Sequence, residues 1–359
     1  MELNTIIYNF NVEGDLVKVK SNKVGHINST YIATFNDNGV IKKYTIQKIN
    51  KNAFKNPPKA MDNIVAVTTH IEQKISGKTD SDKRVLSVVF SKDNKPYFLD
   101  DNGDYWRAYK FIDDVCTFNK VSAATQAYHL GEGVATFQKQ LRDFDGSTLY
   151  ETITDFHNMR FRYINFKKAI EKDSHSRVEK VQEEINFLLE NESRGYIIWD
   201  ELKSGKIPLR VTHNDTKINN VLFNKDGSEA LCVIDLDTVM SGSILFDTGD
   251  MIRTATATID EDALDFENMK CNVEYYRELI KGYQSIAKSF LTEREIELII
   301  ESGRNITQIM AVRFLTDYLE GDVYYSIERE NHNIDRTRTQ IALMTDMDRK
   351  WEQLKTLIK

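Results

Sequence analysis

Cysteine is scarce in this chain of 359 residues, and the few cysteines lie far apart in the sequence. They are Cys116, Cys232 and Cys271. An odd, sparse set does not form a disulfide framework, and its spacing does not match a structural zinc site. We therefore expect reduced cysteines that pack in the interior, as in a cytoplasmic protein.

Long apolar runs and an excess of positive charge are also missing. The N-terminal segment, MELNTIIYNFNVEGDLVKVK, has no apolar stretch after a basic start, so we expect no signal peptide. No apolar run approaches the length of a membrane span. The formal net charge of −7 gives no basic footprint for nucleic acid. The composition therefore indicates a globular protein that binds neither nucleic acid nor a membrane.

The chain lacks internal repeats, low-complexity tracts and a linker rich in proline, glycine and serine. Its first third has the alternation typical of β-strands, with one helical pattern inserted, and the remainder is mainly helical apart from a β-rich island. The expected strands are 15–20, 29–35, 41–49, 85–90 and 96–100, residues 106–112 form the connector that follows them, and the island spans 209–237. The expected helices are 60–75, 121–142, 159–190, 263–289, 293–320 and 335–358.

This order of elements predicts an α+β fold with two lobes. Residues 1–108 would form a small β-rich nucleotide-binding lobe, and residues 109–359 a larger, mainly helical lobe for catalysis and acceptor binding. Because no flexible linker separates the two segments, we expect a tight hinge between them.

The most informative segment is residues 211–223, with the sequence VTHNDTKINNVLF. It contains His213 and Asp215, and Asn220 stands five residues after the aspartate. Asp235 follows fifteen residues later, inside VIDLD. The type, order and spacing of these residues match a kinase catalytic loop and its metal-binding aspartate.

Phosphoryl transfer depends on positioning and on neutralising charge, and these residue types supply both. Asp215 can accept a hydrogen bond from the attacking hydroxyl and act as the catalytic base. Asn220 and Asp235 offer the oxygen ligands that Mg²⁺ prefers. A turn at Asp226-Gly227 predicts a hairpin that brings these two ligands together. The alternative, a solvated polar turn beside an unrelated strand, requires several well-placed side chains to coincide by accident.

Through HNDTKINN, VIDLDT and FDTGD, the chain resembles the aminoglycoside phosphotransferase and choline kinase superfamily. More narrowly, it is similar to bacterial N-acetylhexosamine 1-kinases through GHINSTY, YTIQKIN, WRAYKFI, DFHNMRFRY and RFLTDYLEGDVYY. The resemblance covers nearly the whole chain and implies a protein-kinase-like fold that uses ATP and Mg²⁺. It further implies transfer of the γ-phosphoryl group to the anomeric hydroxyl of GlcNAc or GalNAc, which gives the 1-phosphate.

The same resemblance places a nucleotide-covering loop between the first two strands. This loop contains Gly25, His26, Asn28, Ser29 and Thr30, and a turn of small residues can bring backbone N–H groups near phosphates. His26 would also approach the sugar or the transferring phosphate. The loop lacks the G-x-G-x-x-G pattern, so an ordinary hairpin loop is the simpler local interpretation.

The third strand presents a conflict. Kinases place a cation there to hold phosphates, whereas alignment of YTIQKIN puts Gln47 at that position. Either Gln47 acts as a neutral donor, or the register is shifted by one residue and Lys48 is used. Asp62, on the next helix, is the candidate acidic partner, although a solvated helix face is the simpler interpretation of this residue. Residues 106–111 would form the hinge, and its backbone would contact adenine near Tyr109 and Phe111.

Two further polar residues, Lys217 and Asp237, have two interpretations each. Lys217 would neutralise charge on the γ-phosphate, although a solvated loop lysine explains it equally well. Asp237 would assist a second Mg²⁺, and a hydrogen-bonding role in its turn is an equal alternative. Asp247 and Asp250 are expected to brace the catalytic loop.

For the acceptor, the resemblance points to Arg313 and Tyr324, besides His26 and Asp215. Arginine can fork hydrogen bonds to sugar hydroxyls or an acetamide oxygen, and tyrosine offers a ring face and a hydroxyl. From local sequence alone, a surface or ion-paired arginine on a helix is the simpler interpretation of Arg313.

Other functions fit parts of the sequence. The same chemistry could act on an aminoglycoside, choline, homoserine or another sugar, although no dense acidic cluster favours a polycationic acceptor. A pseudokinase that binds nucleotide without turnover is supported only by Gln47. A metal-free hydrolase using His213 and Asp215 lacks the G-x-S-x-G motif. The acceptor's stereochemistry, the number of metal ions and the oligomeric state stay open.

Overall fold

The computed structural model describes residues 2–22 and 28–358. The strands are β1 (Asp15–Asn22), β2 (Ser29–Asp37), β3 (Val40–Lys48), β4 (Val88–Val89), β5 (Phe98–Leu99), β6 (Tyr105–Lys110), β7 (Val115–Cys116), β8 (Arg210–Thr212), β9 (Val221–Asn224), β10 (Ala230–Val233) and β11 (Met240–Gly242). The α-helices are α1 (Leu3–Ile7), α2 (Pro57–Ile75), α3 (Ala124–Gln140), α4 (Met159–Lys172), α5 (Gln182–Glu190), α6 (Glu192–Gly195), α7 (Ile197–Lys203), α8 (Ile244–Thr256), α9 (Val273–Ala287), α10 (Glu293–Leu319), α11 (His332–Arg349) and α12 (Trp351–Lys355).

The chain forms two compact units, each built from several segments. The first unit consists of Met1–Cys116, Gln140–Thr154 and Val221–Ser241, and the second of Thr117–Lys139, Asp155–Asn220 and Gly242–Lys359. The expected division at residues 108/109 follows chain order and stays a prediction. In the structure, two later segments of the chain, Gln140–Thr154 and Val221–Ser241, also belong to the β-rich first unit.

An antiparallel sheet in the order β1-β2-β3-β6-β4, with β5 paired to β6, runs through the first unit. Strands β2 and β3 are joined at Asn38-Gly39, where φ is 51° and 89°. Positive φ at both positions is what a tight hairpin turn requires, and Asn-Gly is the residue pair that adopts it most readily. The register places Thr30 opposite Gln47 and Gln47 opposite Arg107, which aligns three polar side chains across the sheet.

The apolar side chains of this sheet pack with α1 into a buried core. Phe35, Tyr44 and Ile46 contribute from β2 and β3, and Ile6 and Ile7 contribute from the short helix. The apolar side chains therefore pack the sheet into this core. Polar side chains of the same strands can contribute to a functional site.

Helix α2 begins after Asn56, whose side chain accepts a hydrogen bond from the backbone of the first turn. Pro57-Pro58 occupies the first helical positions, where no intrahelical N–H is lost. Asn63 is buried on this helix and donates to the carbonyl oxygen of Val239 at 2.9 Å. This bond ties α2 to the segment that follows Asp235 and Asp237.

A second, smaller sheet in the order β10-β9-β7 belongs to the same unit. The β9–β10 hairpin turns through Gly227, whose φ of 77° suits glycine, and it pairs Val221 with Val233. The hairpin therefore begins directly after Asn220 and ends two residues before Asp235, as the sequence predicted.

The second unit is mainly helical, with α8 and α11 packed along the long helix α10. Thr292 caps α10 in a capping box with Glu295, in which each side chain bonds the other residue's backbone N–H. Helices α3 and α9 approach closely at Gly131 and Gly282. A Cβ atom on Gly282 would lie only 2.0 Å from the carbonyl oxygen of Tyr128.

Among the described residues, no helix combines the length and the apolar character needed to cross a membrane.

Candidate active site

The catalytic loop of the second unit follows β8 and ends in a 3₁₀ turn at Ile218–Asn220. The side-chain amide nitrogen of Asn220 donates to the carboxylate of Asp215 at 3.0 Å and to its carbonyl oxygen at 2.8 Å. Because the amide group is planar, its oxygen is directed away from Asp215. The loop therefore brings two predicted site residues into contact. The amide oxygen of Asn220 is left as a neutral ligand for a cation.

Helix α8 braces this loop through Asp247. The buried carboxylate accepts hydrogen bonds from the backbone N–H groups of His213 at 3.2 Å and Asn214 at 2.7 Å. His213 in turn accepts the backbone N–H of Asp215 at its Nδ1, at 3.2 Å. Burial raises the pKa of Asp247. The bracing role expected for Asp247 is confirmed, and His213 supports the loop backbone.

Lys217 lies beside the carboxylate of Asp215. Its Nζ atom is 3.3 Å from Oδ1 of Asp215, and the attraction to Asp215 raises the pKa of Lys217. Asp250 is buried nearby on α8 and accepts hydrogen bonds from Arg253 at 2.9 and 3.1 Å. Burial is the main cause that raises the pKa of Asp250. The loop thus holds a carboxylate and a cation in contact.

In the first unit, Asp235 stands at the start of a short turn. Its φ of 62° is left-handed, and a 3₁₀ helix over Leu236–Thr238 follows. Asp237 is buried in this turn, where Arg107 donates to both of its carboxylate oxygens and Asn28 donates to one of them. The neighbouring Arg107 lowers the pKa of Asp237 against the opposing effect of burial. Asp237 is therefore an ionised, hydrogen-bonded carboxylate.

The register question on β3 is resolved by side-chain partners. Gln47 accepts a hydrogen bond from Nε of Arg107 at 2.8 Å and donates to the hydroxyl of Thr30 at 3.0 Å. Lys48 instead pairs with Asp104 at 2.5 Å. The side chain of Gln47 therefore lies in one row with the polar side chains of Thr30 and Arg107. Lys48 points to the opposite face of the sheet.

The other residues predicted to bind the nucleotide lie in different elements of the structure. Ser29 is exposed at the start of β2, and Tyr109 is buried 5.4 Å from the guanidinium of Arg107. Phe111 follows β6, and its ring centroid lies 5.5 Å from Nζ of Lys43. Gly25 and His26 lie outside the described residues.

Two of the predicted acceptor residues, Arg313 and Tyr324, meet in an aromatic cluster of the second unit. The guanidinium of Arg313 lies 5.0 Å from the ring centroid of Phe156 and 5.6 Å from that of Tyr324. Asp317 positions Tyr324 by accepting its backbone N–H at 2.7 Å. Aromatic rings surround the head group of Arg313, whose Nη2 atom donates to the exposed hydroxyl of Tyr324 at 3.5 Å, so a surface position of this arginine stays a valid interpretation.

A second guanidinium belongs to this cluster. Arg162 donates to the carbonyl oxygen of Phe156 at 2.8 Å, and burial together with repulsion from Arg313 lowers the pKa of Arg162 to about 10. His157 lies between the rings of Phe156 and Phe246, with centroid distances of 4.5 and 4.8 Å. Burial and both arginines lower the pKa of His157 to about 3, so it is neutral at pH 7.

Residues 95–283, more than half of the chain, match the family described as the phosphotransferase enzyme family. The chain belongs to this family. The matched segment includes the catalytic loop, Asp235 and the bracing helix α8.

Solved structures of other proteins share this fold. An aminoglycoside phosphotransferase from Alicyclobacillus acidocaldarius aligns with a TM-score of 0.65 at 10% identity, over 99% of this chain and 97% of the other. A microcompartment-associated aminopropanol kinase gives 0.67 at 12% identity, over 99% and 98%. Choline kinase from Cryptosporidium parvum gives 0.55 at 13% identity, over 95% and 90%. The predicted kinase-like fold is confirmed, with a β-rich N-terminal region and a helical C-terminal part.

The sequence analysis missed two residues of this phosphotransferase, Arg107 and Arg162. Arg107 stands between Trp106 and Ala108 in a strand that is otherwise almost wholly buried. The available signal was a charged residue at an inward-facing position of a buried strand. Its partner, Asp237, could be identified only from the structure. Arg162 lies within DFHNMRFRY, and no sequence pattern separated it from an ordinary surface arginine.

Proposed function

We propose that this phosphotransferase transfers the γ-phosphoryl group of ATP to the anomeric hydroxyl of an N-acetylhexosamine, GlcNAc or GalNAc. The observation that supports it most directly is the catalytic loop, in which Asn220 and Lys217 both contact the carboxylate of Asp215. A carboxylate held in this way is suited to orient an alcohol for attack on phosphorus.

Asp215 accepts a hydrogen bond from the attacking hydroxyl and takes its proton as the new O–P bond forms and the bond to the leaving ADP breaks. Lys217 offsets negative charge on the transferring group. His213 and Asp247 keep the loop in place through the backbone bonds described above.

The donor atoms present fit Mg²⁺. Asn220 has an amide oxygen directed away from Asp215, and Asp235 adds a carboxylate; magnesium binds such oxygen ligands and completes its shell with phosphates and water. Among the described residues no group of three His, Cys, Asp or Glu side chains could hold a metal by itself, which accords with a metal that depends on the nucleotide. When bound, Mg²⁺ neutralises charge on the phosphates of ATP.

The acceptor cluster favours a neutral acceptor over a cationic one. Arg162 and Arg313 both carry positive charge, and the nearby Asp155 offsets only part of the charge of Arg162, whose pKa is lowered overall. An ammonium group beside them would be repelled and desolvated, whereas hydroxyl and acetamide oxygens can accept from the guanidinium groups. The rings of Tyr324 and Phe156 offer apolar faces to a sugar ring.

The test is incubation with ATP, Mg²⁺ and either GlcNAc or GalNAc, with the product identified by phosphorus NMR. We expect the 1-phosphate, and we expect Asp215→Asn to abolish it while circular dichroism shows a folded chain. If neither sugar gives a product with the wild-type chain, the N-acetylhexosamine assignment is refuted.

The second candidate keeps the chemistry and changes the acceptor. Its support is the fold shared with kinases named for aminopropanol and choline. A panel of aminoglycosides, choline, homoserine and further sugars, read out by ADP release, separates it from the first candidate. Saturable turnover of a cationic alcohol with no turnover of the two sugars would establish the second candidate.

A further inference from the structure

The position on β3 that usually carries a phosphate-binding lysine is occupied by Gln47. The strand register places Arg107 of β6 directly opposite Gln47. Residues paired across antiparallel strands project to the same face of a sheet, so Arg107 brings a positive charge to the face that lacks the lysine.

Side-chain hydrogen bonds connect three neighbouring strands on this face. Arg107 donates through Nε to Gln47 at 2.8 Å, and Gln47 donates onward to Thr30 at 3.0 Å. The glutamine therefore holds the stem of the guanidinium in place. It orients the cation on the adjacent strand.

The remaining guanidinium nitrogens of Arg107 point at Asp237. Each terminal nitrogen donates to a different carboxylate oxygen, and the second of these distances is 2.8 Å. The side chains of Arg107 and Asp237 are 1% and 3% exposed, so the pair is shielded from solvent. Asn28 adds a hydrogen bond to the same carboxylate at 2.7 Å. Both oxygens of Asp237 are thus engaged within the protein.

The pair anchors the turn that presents Asp235. Asp237 is the second residue after Asp235, and both belong to a turn whose first residue is held in a left-handed conformation. Such a conformation persists only where surrounding contacts fix it. The two parallel bonds from Arg107 are directional and provide such a contact.

We propose that the Arg107–Asp237 pair replaces the missing lysine-centred ion pair, with Arg107 as a positioning residue that fixes the Asp235 turn for the metal–nucleotide complex. Asp237 then acts as the counter-ion of Arg107 and not as a second metal ligand. This inference rests on the proposed kinase function, because it concerns the binding of a magnesium nucleotide.

The test compares the wild-type chain with the double variant Arg107→Gln/Asp237→Asn. The double variant exchanges two buried charges for two neutral side chains, so no unpaired charge is left inside. Calorimetric titration with ADP, in excess EDTA and in excess Mg²⁺, separates metal-free from metal-dependent binding. We expect metal-free ADP binding to change less than threefold and the gain in affinity from Mg²⁺ to fall at least tenfold.

A matched control is the pair Arg210–Glu295 of the second unit. It is also a two-bond arginine–carboxylate pair, with distances of 2.8 and 2.9 Å and a fully buried carboxylate. Arg210→Gln/Glu295→Gln should lower the unfolding temperature and leave the gain from Mg²⁺ unchanged. An equal loss in both double variants would show that general destabilisation is the cause and would overturn the proposal.

A single variant covers the case in which the double variant does not fold. Arg107→Lys keeps the charge and loses the two-bond geometry, and we expect a folded chain with a several-fold weaker response of ADP binding to Mg²⁺. An unchanged response in either folded variant refutes the positioning role. A wild-type chain that binds no ADP at all, with or without Mg²⁺, refutes the proposed function itself.

Discussion

Lys217 is the cation closest to the proposed catalytic base among the contacts described here, 3.3 Å from Asp215. If it neutralises charge on the transferring phosphoryl group, Lys217→Ala should lower kcat by about 10²-fold, the size typical of losing one electrostatic stabiliser. Steady-state kinetics with the identified acceptor measure this effect. Lys225→Ala, in the exposed turn of the β9–β10 hairpin, is the matched control and should have wild-type kcat.

A different result would change the role of this lysine. If Lys217→Ala raised only the KM for ATP and left kcat intact, the lysine would contribute to ground-state binding and not to the transition state.

His157 gives the protein an acid-sensitive residue. Its folded-state pKa of about 3 lies below the ordinary value of 6.5, so the unfolded chain binds more protons between these pH values. The stabilisation from neutral His157 is therefore complete above about pH 6.5 and is lost as the pH falls toward 3. Since one pKa unit corresponds to about 1.4 kcal/mol, the full loss is on the order of 5 kcal/mol.

Replacing His157 by phenylalanine keeps an aromatic ring between Phe156 and Phe246 and removes the titration. Urea unfolding of His157→Phe between pH 7 and 4 should show a shallower loss of stability than the wild-type chain. His175→Asn, at an exposed histidine, should keep the wild-type slope. If both variants follow the wild-type curve, other groups cause the acid sensitivity.

Sequence spacing predicted the parts of the site that are close in the chain. Asp215 and Asn220 are five residues apart, so one loop determines their contact, and the structure shows it. The Arg107–Asp237 contact joins positions 130 residues apart, and only strand register and burial bring it about. Local sequence patterns carry no information on such a pair. For this reason the sequence alone placed no cation next to Gln47.

At the scale of elements, the close approach of α3 and α9 depends on two glycines. Alanine at Gly282 would place its Cβ atom 2.0 Å from the carbonyl oxygen of Tyr128, which is a backbone atom and cannot move aside cheaply. We expect Gly282→Ala to destabilise the protein by about 1–3 kcal/mol, although alanine favours helices more than glycine does. Chemical denaturation measures the change.

An exposed residue of α9 provides the control for this prediction. Arg277 is exposed, and Arg277→Ala should change stability by less than about 0.5 kcal/mol. Equal effects of the two substitutions would mean that helix propensity, and not the contact with α3, determines the outcome.

Helices and strands were predicted best where the apolar period was long and regular. Strands β1 to β3 and helices α2, α3 and α10 lie close to their predicted positions. The predicted helix over 159–190 is interrupted after α4, where Asp173 adopts a left-handed conformation with φ of 37°. Helix α8 was missed because nearly all of its residues are buried, including charged ones, so it lacks a polar face.

At the scale of the whole molecule, binding of a nucleotide should be visible as stability. A ligand that binds only the folded chain stabilises it by RT ln(1 + [L]/Kd), which is about 2.7 kcal/mol at one hundred times Kd. We expect ADP with Mg²⁺ to raise the unfolding temperature more than ADP with EDTA does. The difference between these two conditions isolates the contribution of the metal.

Asp235→Asn should remove most of that difference, because an amide is a much weaker magnesium ligand than a carboxylate. Asp62→Asn changes a carboxylate that is 60% exposed on α2 and should leave the difference unchanged. Thermal unfolding of both variants and the wild-type chain, at equal protein and ADP concentrations, gives the comparison. If Mg²⁺ stabilises Asp235→Asn as much as it stabilises the wild-type chain, Asp235 is not the carboxylate that holds the metal–nucleotide complex.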